Sequence, residues 1–230
     1  MLRPKRRVSK KELKQDELLE FLYNSEQFIR KNQKALIYAA IGIVVVVVVA
    51  LMMIKSRKNA EMAAAAEVGQ AQAAFDQGNY QEVIADLKPI VDTYKGTNSA
   101  GVGVFYLGSA SYRLGNYDDA RNYFEQYLDE YDDDPVLSAS ASASLGAIAS
   151  NAGNYTEAFQ HYKKAARRAP YKFLAEKYSL EAADNAFQAG DLKSANTLLT
   201  QLLANEDLAP NLKTNAEELQ ASIDVKMGNE

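Results

Sequence analysis

His161 is the one histidine in 230 residues, and cysteine is absent. Those two facts remove most of the side chains that carry out chemistry. Without cysteine there is no disulfide, no thiolate metal site, no cysteine nucleophile and no lipid anchor on an N-terminal cysteine. The chain is also indifferent to the redox state of its compartment. His161 stands beside Tyr162, where a packing or surface role accounts for it. Asp132, Asp133 and Asp134 have the composition of a calcium loop, but Pro135 follows them. A solvated turn, with Asp134 capping a helix that begins at Pro135, explains all four residues. GVGVFYLG, residues 101–108, has the glycines of a phosphate loop but lacks G-K-[ST] and a preceding strand. Asn154, Tyr155 and Thr156 fit a glycosylation sequon, which a repeat described below also explains. No acid–base pair, nucleophile arrangement or metal spacing remains, so the chain reads as a non-enzyme with no cofactor and no metal.

Charge is distributed unevenly. Residues 1–34 hold ten Lys or Arg against five acids, and residues 55–230 hold sixteen against twenty-five. The basic end is local and the bulk is acidic, a poor partner for nucleic acid. Between them, residues 35–54 (ALIYAAIGIVVVVVVALMMI) carry no charge. Twenty residues of helix span ~30 Å, the hydrocarbon thickness of a bilayer, and in lipid the backbone must bond to itself despite six consecutive valines. The run is too long, and starts too far from the N-terminus, for a cleaved signal peptide. An uncleaved transmembrane helix is expected. Ten cations precede it and only Lys55, Arg57 and Lys58 follow closely, so the N-terminus is expected in the cytoplasm and everything past residue 58 outside it. In residues 1–34, Ser9 and Glu12 form a capping box opening an amphipathic helix with Leu18, Leu22, Ser25 and Ile29 on one stripe. That helix either docks a partner or rests on lipid.

Downstream, GNY recurs: FDQGNYQEVIADL, YRLGNYDDARNYF and SNAGNYTEAFQHY, with a looser FQAGDLKSANTLL. The glycines are Gly78, Gly115, Gly153 and Gly190. Each glycine ends one helix in the left-handed conformation, and the Asn or Asp after it caps the next. Seven residues before each glycine stand Ala71, Gly108, Gly146 and Ala183; five after stand Val83, Ala120, Ala158 and Ala195. Small side chains there let two antiparallel helices approach. Leu87, Phe124, Tyr162 and Leu199, nine after, fill the groove between pairs.

This pattern resembles the tetratricopeptide repeat. Val104, Leu107, Gly108, Ser111, Ala120 and Phe124 fit it in the second copy, and Leu145, Gly146, Ala149, Ala158, Tyr162 and Pro170 in the third. No tryptophan opens a repeat, Val83 replaces the usual alanine, and the period exceeds the standard length, with the surplus placed at inter-repeat turns such as YDDDPV. The expected fold is all-α: one N-terminal transmembrane helix (35–54), a linker (55–62), an α-solenoid of about four tetratricopeptide-like helix pairs (63–207), and a capping helix and tail (208–230), the cap covering the last apolar face.

The resemblance implies a protein-binding wall on the first helix of each repeat. Its positions correspond here to Val68, Gln72, Phe75 and Asp76; Phe105, Ser109, Tyr112 and Arg113; Ala143, Ala147, Ser150 and Asn151; and Leu180, Asp184, Phe187 and Gln188. The expected partner groove is Phe75, Phe105, Ser109, Tyr112, Arg113, Asn151, Phe187 and Gln188. One arginine and several aromatics fit a carboxylate clamp poorly and an extended apolar polypeptide better. The phenylalanines equally serve as filling between helices. The layout as a whole, from QFIRKNQKAL before the span to the alanine-rich stretch after it, resembles YfgM-type proteins of bacterial inner membranes. That resemblance implies an accessory subunit of the Sec translocon, with its repeats in the periplasm, contacting unfolded clients and a periplasmic prolyl isomerase chaperone. The other reading is a scaffold of a division or secretion complex.

Overall fold

A computed structural model describes residues 21, 24, 25 and 28–228. The capping box at Ser9 and Glu12, with Leu18 and Leu22, lies outside the described residues. Phe21, Asn24, Ser25 and residues 28–31 are helical. Nine further helices follow among the described residues: α1 (Gln33–Asp76), α2 (Tyr80–Thr93), α3 (Asn98–Arg113), α4 (Tyr117–Glu130), α5 (Pro135–Asn151), α6 (Tyr155–Arg168), α7 (Lys172–Gln188), α8 (Leu192–Leu203) and α9 (Pro210–Gly228). The protein is all-α, with four helix pairs and a closing helix.

The chain divides into two units, Met1–Ser56 and Arg57–Glu230. In the first, the described part of α1 carries an apolar stretch whose side chains are exposed throughout, with a mean hydropathy of 3.0 in its most apolar window. Among the described residues it is the helix long and apolar enough to cross a membrane, and it fits a single-pass anchor. Residues 55–62 are helical, within α1.

In the second unit each helix from α2 to α9 packs on the next, and α3 also touches α5, as α7 does α9. The repeat register read from the sequence is the packing register. Ala71, Gly108, Gly146, Ala183, Val83, Ala120, Ala158 and Ala195 are all buried, and the last four have no exposed surface. Leu87, Phe124, Tyr162 and Leu199 are buried beside them. The Phe124 and Tyr162 rings lie within their own helix pairs, on the small residue of the partner helix, rather than between pairs as the sequence suggests. A Cβ on Gly108 would stand 2.9 Å from Phe124 Cε1, and one on Gly146 2.9 Å from Tyr162 Cδ2. The glycine leaves the hollow that the ring fills, at a contact closer than carbon atoms tolerate.

The GNY tripeptide has a backbone reason. Gly78, Gly115, Gly153 and Gly190 have φ of +83°, +79°, +74° and +81°, the left-handed region where a side chain is strained. The N–H of the next residue then reaches back to satisfy a late carbonyl of the ending helix: Asn116 N to Ser111 O at 2.9 Å, Asn154 N to Ala149 O at 2.8 Å. The expected side-chain caps form only in part. Asp191 accepts from Ser194 N, whereas Asn79, Asn116 and Asn154 make no cap bond; they serve the turn through their main chain. Tyr80 and Tyr117 pack edge-on against Phe75 (5.1 Å) and Tyr112 (5.4 Å) at the end of the preceding helix. Asp134 caps α5 as expected, accepting from Val136 N at 2.7 Å and Leu137 N at 3.1 Å.

A cap unreadable from sequence secures the first repeat. Glu61 on α1 accepts from Asn98 N (2.8 Å) and Ser99 N (3.0 Å) at the start of α3. Its carboxylate satisfies free donors at the positive end of that helix. At the other end α9 buries Leu212, Ala216 and Ile223 against the last repeat.

Candidate functional site

A pocket of about 270 Å³ opens on the first helices of the second, third and fourth repeats. Helix α5 supplies its floor. Ser140, Ala143, Ser144 and Ala147 recur at helical spacing on one face, and their small side chains leave the space open. Tyr112 closes one side from the end of α3; Lys177, Tyr178 and Glu181 close the other from α7; Tyr162 of α6 reaches between them. The phenols are held in place. Asn151 Nδ2 donates to the Tyr112 hydroxyl at 3.1 Å, Tyr178 and Ser140 share a hydrogen bond at 3.4 Å, and the Tyr162 ring is fixed on Gly146.

Electrostatically the pocket favours the loss of negative charge. Burial pushes the Tyr162 hydroxyl well up, with Glu181 and Tyr112 adding to the effect. Burial also raises the Glu181 carboxyl, Asp184 raises it further and Lys177 opposes them. These are the directions expected when anions are taken from water and set beside each other.

The eight groove residues read from the sequence are dispersed. Tyr112 lines this pocket and Asn151 is bonded to it. Phe75 and Phe105 are joined through Tyr106, at ring separations of 5.2 and 5.9 Å, and Phe105 also packs on Phe124 and Tyr127. Ser109 donates to its own helix at Phe105 O. Arg113 is exposed. Phe187 is partly covered, with Lys226 of α9 4.9 Å above its ring. Gln188 borders an open recess with Asn154 and Glu157. Ser140, Ser144, Lys177 and Glu181 are not among the groove positions expected from the sequence. Their signal was available as polar i, i+4 pairs, Ser140 with Ser144 and Lys177 with Glu181, beside the buried alanines.

His161 lies away from this pocket. Its Nε2 is 3.6 Å from Glu157, which receives a 2.6 Å bond from Arg121 of the preceding repeat. Asp132 pairs with Arg168. Asp132 and Glu157 thus link successive repeats, and His161 lies beside Glu157 on the same helix.

Residues 105–172, from Phe105 in α3 to the start of α7, match the tetratricopeptide repeat family. The matched residues run from α3 to the start of α7, and the helix pairs on either side repeat the same glycine and small-residue register, so the whole set is tetratricopeptide-like. No curated protein matches the chain. That family is a non-catalytic repeat that mediates protein–protein contacts, and Tyr112, Ser140, Ala143, Ser144, Ala147 and Tyr162 of the pocket lie within the matched residues.

Proposed function

We propose that the protein is a membrane-anchored interaction module that holds extended polypeptide on the first helices of its repeats, as an accessory subunit of the Sec translocon with the repeats in the periplasm. The observation that carries the polypeptide reading is the open pocket across α3, α5 and α7, floored by small residues and walled by tyrosines. A side chain of a passing segment fits such a pocket while neighbouring backbone runs along the helices. The apolar stretch of α1 supports the anchor. The Lys and Arg excess before residue 35 supports a cytoplasmic N-terminus, and the resemblance of the layout to YfgM-type proteins supports an inner-membrane location. Polypeptide emerging from a translocating channel is the unfolded client nearest to a module so tethered, and a prolyl isomerase chaperone acts on the same substrates.

The test is purification of the full chain in mild detergent from inner membranes. Recovery of translocon subunits supports this assignment, and recovery of division or secretion subunits in their place assigns the scaffold role.

A further inference from the structure

We propose that the pocket selects a cationic side chain, the guanidinium or ammonium of an extended polypeptide, with the Glu181 carboxylate as its counter-charge. This rests on the polypeptide reading above and adds the chemistry that the face selects. Glu181 is partly buried in the pocket wall. Among the described residues its carboxylate takes part in no hydrogen bond and no ion pair; Lys177, one turn earlier, makes none with it. A carboxylate partly withdrawn from water without a hydrogen-bond partner is disfavoured, and a bound cation offsets that. Asp184, on the next turn, adds a second negative charge; its bond is to the neutral amide of Gln188 at 3.5 Å. The two carboxylates therefore outnumber the one ammonium, Lys177, on this stretch of α7. The walls suit the same ligand. Tyr112, Tyr162 and Tyr178 offer rings to a cation, and Ala143 and Ala147 offer apolar surface to its alkyl stem. Burial raises the Glu181 carboxyl in the empty pocket, in keeping with a site whose counter-charge comes from outside the chain. An acidic segment would meet repulsion from both carboxylates.

The test uses the full chain in mild detergent and two heptapeptides of alanine and serine, acetylated and amidated. One has a central arginine and the other has citrulline, which keeps the shape and drops the charge. The arginine peptide is expected to bind about tenfold tighter, as a charge-assisted hydrogen bond at a partly buried site gives. Glu181→Gln should abolish that preference and leave citrulline-peptide binding unchanged. Glu125→Gln, on the exposed face of α4, should preserve it. Equal binding of both peptides to the unaltered chain overturns the proposal, and that result needs no variant to fold. So does a preference that survives in Glu181→Gln. Retained binding of an unfolded client protein without an arginine preference removes this inference alone. Loss of client and peptide binding together removes the polypeptide reading with it.

Discussion

Asn151 Nδ2 donates a 3.1 Å hydrogen bond to the hydroxyl of Tyr112, 39 residues earlier, tying the last turn of one repeat's first helix to that of the next. The bond fixes a phenol on the pocket wall by a residue outside the pocket. Asn151 is exposed, so Asn151→Ala should cost stability little, under about 1 kcal/mol. Freed to rotate, Tyr112 should hold peptide less well. Tyr112→Phe, which also loses the bond, should weaken binding to a similar extent, and the double variant should be no worse than either single one. Additive losses in peptide titrations would show that the two side chains act separately.

Two kinds of glycine should respond differently to substitution. At Gly108 the backbone is ordinary and the space is full, so Gly108→Ala drives a methyl into the buried Phe124 ring and should cost about 1–3 kcal/mol. Gly108→Ala combined with Phe124→Leu should recover part of that loss. At Gly115 the space is open and φ is +79°, so the cost is conformational. Gly115→Val should destabilise more than Gly115→Asn, because asparagine tolerates the left-handed region. Thermal unfolding of the four variants checks both statements.

The link between the second and third repeats should respond to pH in two windows. Burial, then Lys164, holds the His161 pKa below its ordinary 6.5. The native state therefore prefers neutral histidine, and its stability is lost as pH falls from that value towards the folded one. The hydrogen bond from Arg121 holds the Glu157 carboxyl below its ordinary 4.5, and that contribution is lost as pH falls further, through the lower folded value. His161→Gln should flatten the decline of stability that sets in as pH falls below about 6.5. Arg121→Gln should flatten it below about pH 4.5. Denaturant unfolding at stepped pH separates the two.

The repeat register was legible because each of its requirements is local. A glycine at positive φ, a small residue seven positions before it and a small one five after it can all be counted along the chain. The candidate site was less legible because it depends on what neighbouring helices leave open. Phe187 looks like a free aromatic at the end of a first helix, yet Lys226 of α9 lies above it. Phe105 occupies an expected groove position, yet its ring meets Phe124 and Tyr127 across the pair. Ser140, Ser144, Lys177 and Glu181 acquire meaning only because α3, α5 and α7 bring them to one pocket. The Glu61 cap on α3 spans 37 residues to Asn98, and no local pattern announces it.

The proposed topology rests on charge asymmetry. Protease added outside the inner membrane should digest the repeats and spare the first 34 residues, where ten Lys or Arg lie. Protection of the repeats in spheroplasts would reverse the orientation and exclude contact with polypeptide leaving a translocon.

Photo-crosslinking from the pocket floor tests the central claim most directly. The full chain, in inner-membrane vesicles loaded with an arrested secretory precursor, would carry a photo-reactive residue at Ser144 or, as a control, at exposed Thr197 on α8. Crosslinking of the precursor from position 144, absent from position 197 and lost when the precursor is released, is the predicted result. No precursor crosslink from position 144, or an equal one from both positions, would contradict a polypeptide-binding face across α3, α5 and α7.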